Sequence, residues 1–80
     1  MTANVFVPAD PADLARFLRD RRLRGDHDQK ELAEALCCVP SQVSEWEGCS
    51  KQPVLGNAMV WANALGFRVA LVPFKAEVTS

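Results

Sequence analysis

Apolar residues recur at helical spacing in four stretches of this chain and at strand-like density in a fifth. Leu14, Phe17 and Leu18 lie three and four residues apart, which predicts a first helix with one buried stripe. Asp10 precedes it as a cap, Pro11 occupies the first turn where a missing N–H has no helical partner, and Gly25 marks its end. Residues 28–48 predict two short helices across a tight bend. Asp28 can cap the N–H of Glu31, with Glu31 returning the contact as a capping box, and Leu32, Ala33 and Leu36 share one face. Pro40 then opens a helix whose Val43 and Trp46 point inward, leaving Cys37, Cys38 and Val39 for the bend. The small Ala33 sits where the two helices must cross.

Pro53 opens a fourth helix running to Leu65 and apolar nearly all round. Leu55, Met59 and Ala62 form one face, expected to close the core; Val54, Ala58, Trp61 and Leu65 form a second, expected to meet a partner. Gly66 caps this helix, and residues 67–74, rich in β-branched and aromatic side chains, predict a strand. One strand cannot satisfy its own backbone groups, so it must pair with the N-terminal segment, with another protein, or with its copy in a second subunit. Symmetry favours the copy, because two identical antiparallel strands are self-complementary. Residues 4–8 read equally as a short edge strand or a loose arm, and residues 75–80 as a frayed tail.

The expected architecture is one mainly α domain over residues 1–80: an arm (1–9), a compact four-helix core (10–66), a dimerisation strand (67–74) and a tail. Eighty residues bury only about 60–65% of their unfolded surface, so stability is marginal and a dimer is plausible before any motif is considered. No apolar run approaches ~20 residues and no signal-peptide pattern opens the chain, so a cytoplasmic protein without membrane contact is expected. Three cysteines, two of them adjacent, suit neither a disulfide framework nor a zinc site, and read as small buried thiols. No metal or cofactor is implied. His27 has no second ligand at metal spacing and reads as a packed or half-exposed side chain. No nucleophile with a base beside it and no phosphate loop is present, so no enzyme is expected.

The residues 17–22 (FLRDRR), 29–36 (QKELAEAL), 43–47 (VSEWE) and Pro53 follow one another at the spacing of a known motif. Over about residues 14–66 the chain resembles helix-turn-helix proteins of the Cro/CI (Xre) family, with a lambda-repressor-like core. Residues 64–73 (ALGFRVALVP) are similar to the ends of small phage and antitoxin members, in which a C-terminal strand helps dimerisation. The resemblance implies that the second motif helix enters the major groove. Its base-contacting positions would be Pro40, Ser41, Ser44 and Glu45, flanked by Gln42. Proline offers apolar contact only, glutamine suits adenine, and glutamate can accept from cytosine while repelling phosphate.

The same resemblance places Gln29 on a phosphate at a helix N-terminus, with Ser50 and Lys51 on the far side and Lys30, Arg19 and Arg21 as weaker phosphate contacts. Arg22 and Glu47 match a structural pair that sets the angle of the recognition helix. Trp61, Val69, Leu71, Val72 and Phe74 would form the dimer contact. Two positions depart from the family pattern: Cys37 replaces the turn glycine, at about 1 kcal/mol for a side chain at positive φ, and Val39 replaces a Ser or Thr cap worth ~1 kcal/mol.

A net charge of −1 is weak for a nucleic-acid binder, although Arg16, Arg19, Arg21, Arg22 and Arg24 gather five of the nine basic residues. The leading expectation is a homodimeric, sequence-specific double-stranded DNA-binding repressor of phage or mobile-element type. The alternative is an antitoxin or adaptor holding a protein partner, such as a toxin, on its C-terminal strand or fourth helix.

Overall fold

The computed structural model describes residues 5–73. Four helices follow in chain order: α1 Pro11–Arg24, α2 Gln29–Ala35, α3 Pro40–Glu47 and α4 Leu55–Ala64. Among the described residues no helix is long and apolar enough to cross a membrane. Helix starts follow local chemistry. The Asp13 N–H donates to the Asp10 carboxylate at 2.7 Å, and the Glu31 N–H donates to that of Asp28 at 2.7 Å. Glu31 instead reaches back to His27 Nδ1, at 3.6 Å, so half of the expected capping box is replaced by an exposed side-chain pair. Val39 leaves α3 without a side-chain cap. Helix α4 begins at Leu55 behind Val54, so Pro53 lies ahead of it rather than inside its first turn.

All four helices end in the same way. The residue two past the last helical one takes positive φ: Asp26 at 62°, Cys37 at 55°, Cys49 at 63° and Gly66 at 90°. Behind α2, the Cys37 N–H donates to the Glu34 carbonyl and the Cys38 N–H to that of Ala33, the paired bonds of a Schellman motif; the same pairs recur at 26/27, 49/50 and 66/67. Gly25 and Gly48 stand one residue too early, at φ −87° and −84°, so only at Gly66 does glycine occupy the left-handed position.

Ala15, Leu18, Leu32, Ala33, Val43, Trp46, Trp61 and Ala62 form the core, with Leu14, Phe17, Leu36, Leu65 and Phe67 packed around it. Ala33 is buried to 1% exposure between its neighbours, as a close helix crossing requires. Helix α4 is rotated from the expected orientation, keeping only Ala62 of the face expected to close the core. Its Ala58, Trp61 and Ala62 are buried, while Leu55 and Met59 are exposed together with Val54 and Val60. This orientation puts the indole of Trp61 against Trp46 in the core, with the small Ala58 and Ala62 beside it. Trp61 is 1% exposed and stacks at a tilt on Trp46, ring centres 5.6 Å apart, so it belongs to the core and has no surface for a second subunit.

No strand forms among the described residues. Residues 67–73 carry no ladder within the one chain. Leu71 is fully exposed, Val72 is 52% exposed and Val69 39%; Phe74, also expected in that strand, lies outside the described residues. The chain on both sides of the core converges on α1 instead. Phe6 stacks on Phe17 with centroids 4.0 Å apart, and Phe67 meets the same ring edge-on at 5.2 Å. Residues 5–9 are thus an arm laid against α1, with no strand of their own.

Candidate nucleic-acid interface

Helices α2 and α3 are joined by Leu36 to Val39, and the Schellman turn at Cys37 sets the direction in which α3 leaves. Beside the core packing of Val43 and Trp46, a buried ion pair ties α3 to α1. Arg22 on α1 donates from Nε and Nη2 to both carboxylate oxygens of Glu47 on α3, at 2.6 and 2.9 Å, and from Nη1 to the His27 carbonyl at 2.8 Å. Both residues are buried, at 7% and 5% exposure. Hydrogen bonding to Glu47 raises the Arg22 pKa further above its already high ordinary value, against the opposing effect of burial. The guanidinium therefore stays charged at any working pH. Gln29 Nε2 adds a third donor on Glu47 Oε1 at 3.0 Å, tying the start of α2 into the same network.

This network engages one amide proton of Gln29 and leaves its second as the group able to meet an anion. The expected phosphate contact and the Glu47 bond are compatible through the two protons of one NH₂.

On α3, Pro40, Ser41 and Ser44 are exposed, and Ser41 and Ser44 lie three apart on one open face. Gln42 is half-buried and does not share that face. It lines a cavity of about 200 Å³ together with Leu36, Cys37, Cys38, Trp46, Asn57 and Val60. Glu45 is also half-buried, and its carboxylate lies 3.4 Å from Lys51 Nζ. That pair neutralises the one acid on the face at the expense of Lys51 as a free cation. Ser50 folds back as well, its hydroxyl donating to the Glu45 carbonyl at 3.3 Å.

The arginine run disperses. Arg16 faces Asp13 at 4.0 Å, Arg24 Nε donates to Asp20 at 2.6 Å, and Arg22 is buried in the network. Arg21 lies over the rings of Phe17 and Phe67, at 5.1 and 5.6 Å, in a cation–π contact on the side of α1 that carries the two terminal segments. Among the described residues Arg19 and Lys30 are exposed and carry no ion pair. Of the basic residues expected on phosphates, Lys30 and Arg19 are thus the two with neither an acidic nor an aromatic partner among the described residues.

Sequence reading missed two features of this region. The Glu45–Lys51 pair was foreshadowed only by their opposite charges six residues apart. The aromatic cluster around Phe17 was foreshadowed by three isolated phenylalanines, whose meeting depends on where both ends of the chain run. The cysteines also differ from expectation: Cys37 and Cys49 are exposed and Cys38 is half-buried, because Cys37 and Cys49 occupy left-handed turn positions that face outward. Among the described residues no group of three His, Cys, Asp or Glu converges as metal ligands would. No family model, no curated protein and no solved structure matches the chain.

Proposed function

We propose that this chain is a sequence-specific double-stranded DNA-binding transcriptional repressor of the Cro/CI type that acts as a homodimer. The observation that carries the reading is the Arg22–Glu47–Gln29 network. A buried bidentate pair orients α3 rigidly while its opposite face, with Ser41 and Ser44, stays open to solvent. Rigid presentation of short polar side chains from one helix is what reading base edges in the major groove demands. Ser41 and Ser44 read bases, with Pro40 against a thymine methyl and Glu45 set aside by Lys51. Gln29, Lys30 and Arg19 hold phosphates.

The exposed apolar residues Val69, Leu71 and Val72 support pairing with a second copy, where the backbone of residues 67–74 would find the ladder a single chain cannot supply. Two subunits then address half-sites about 34 Å apart. Selection of bound duplexes from a random pool tests the reading: a consensus with two half-sites is expected, and absence of any sequence preference overturns it.

A second reading, an antitoxin or adaptor, is favoured by the row Val54, Leu55, Met59 and Val60, which α4 leaves exposed. Co-purification with the product of a neighbouring gene distinguishes it; a homodimer with no second protein counts against it.

A further inference from the structure

Cys37 and Cys38 stand side by side in the turn between α2 and α3, and both line the cavity of about 200 Å³ that reaches Gln42 and Trp46. Cys37 is exposed at its rim and Cys38 half-buried within, so a small ligand can reach both from solvent. Positive φ does not single out Cys37, since Asp26 and Cys49 share it. What does is adjacency around a common cavity. The peptide between the two is trans, which places their Cα atoms about 3.8 Å apart. Relaxed disulfides need roughly 4.4 Å or more, so a direct S–S bond here would be strained. A single atom bonded to both sulfurs replaces one bond by two and relaxes that constraint.

We propose that Cys37 and Cys38 form a vicinal-dithiol site that captures a trivalent arsenic compound carrying one organic group, with the substituent seated in the cavity against Leu36, Trp46 and Val60. For an arylarsenoxide the step balances without a co-reactant. Two As–S bonds form, the As=O bond breaks, both thiol protons leave on its oxygen as one water, and arsenic stays trivalent. The third cysteine, Cys49, lies in the turn after α3 and does not line this cavity. Bidentate attachment outlasts attachment through either thiol alone by roughly 10²–10⁴-fold, because the second bond forms at high effective concentration. Occupancy displaces Gln42, which borders Ser41. Capture therefore weakens DNA binding, a consequence that rests on the proposed function while the capture itself does not.

The test treats the reduced chain with one equivalent of phenylarsine oxide and reads intact mass, with no DNA present. The expected result is a single adduct of one phenylarsenic unit with loss of one water. It should survive excess monothiol, be released by a small dithiol, and change Trp46 emission. Cys49→Ser should retain it. Cys37→Gly, which relieves the left-handed strain and so preserves the fold, should lose monothiol resistance, as should Cys38→Ala with unchanged helical content. An adduct that excess monothiol removes from the parent chain, or one that persists in Cys37→Gly, overturns the proposal. Failure of the random-duplex selection would leave these mass readings intact, so the two ideas fail separately.

Discussion

The Arg22 guanidinium and the Glu47 carboxylate meet through two parallel hydrogen bonds, 2.6 and 2.9 Å long, across 25 residues of chain. Both side chains have left water to do so, at 9% and 2% exposure. Removing one partner strands a buried charge, which costs about 3–5 kcal/mol. Arg22→Met and Glu47→Leu should each lower the unfolding free energy from urea titration by that much, a large part of the stability of a domain this size. The double variant should be more stable than either single one, because it leaves no unpaired charge.

Trp61 is fully packed, yet its indole Nε1 has no hydrogen-bond partner among the described residues. Trp61→Phe removes that orphan donor along with some volume, so its cost should stay below about 2 kcal/mol. Trp61→Ala opens a cavity and should cost about 3–5 kcal/mol. Thermal or urea unfolding of both variants separates the two contributions.

The junctions around α3 are improvable. At Cys37, φ of 55° costs a side chain about 1–2 kcal/mol, of which glycine's looser unfolded chain returns about 0.4–1. Cys37→Gly should therefore stabilise by up to about 1 kcal/mol. Val39→Ser, at an exposed N-cap with φ −93° and ψ 150°, should add about 1 kcal/mol by accepting from the first turn of α3. Melting temperatures of the single and double variants test whether the gains add.

Burial, helped by the neighbouring Cys37, raises the Cys38 thiol pKa above its usual range. A thiol that is harder to ionise when folded contributes stability below the unfolded pKa and loses it as pH rises through the folded one. Alkylation at neutral pH should modify Cys37 and Cys49 before Cys38, and raising the pH should bring Cys38 into reaction as stability declines. Mass mapping of the alkylated cysteines at stepped pH reads this order.

Glu45 and Lys51 neutralise each other beside the open face of α3. On the proposed function, Glu45→Gln frees Lys51 for phosphate, so affinity for DNA of any sequence should rise and the salt dependence of binding should steepen by about one phosphate contact. Gln29→Ala should weaken binding to all sequences alike, whereas Ser41→Ala should shift base preference. Titrations on one duplex at several salt concentrations distinguish the three.

Helix positions were legible because their signals are local: Asp10 and Asp28 cap within three residues, and Pro11 and Pro40 fit only a first turn. The Arg22–Glu47 pair was legible through the resemblance of the surrounding motif, and the structure forms it. Helix ends were read less well. Cys37 was expected at a left-handed turn position and takes it, as does Gly66, but Gly25 was expected to end α1 and the left-handed residue there is Asp26, with Cys49 in the same role after α3, because core packing sets where each helix stops.

What the sequence determined by itself is four helices, the starts of the first three and the tight bend at residues 36–39, since each depends on contacts within a few residues. The tertiary structure decided which face of α4 is inside, where Trp61 packs on Trp46 and Leu55 and Met59 stay exposed. It also decided that Arg21 lies over aromatic rings, that Gln42 turns into a cavity, and that Lys51 faces Glu45. These depend on area buried and charges met between segments far apart in the chain, and no local pattern encodes that competition.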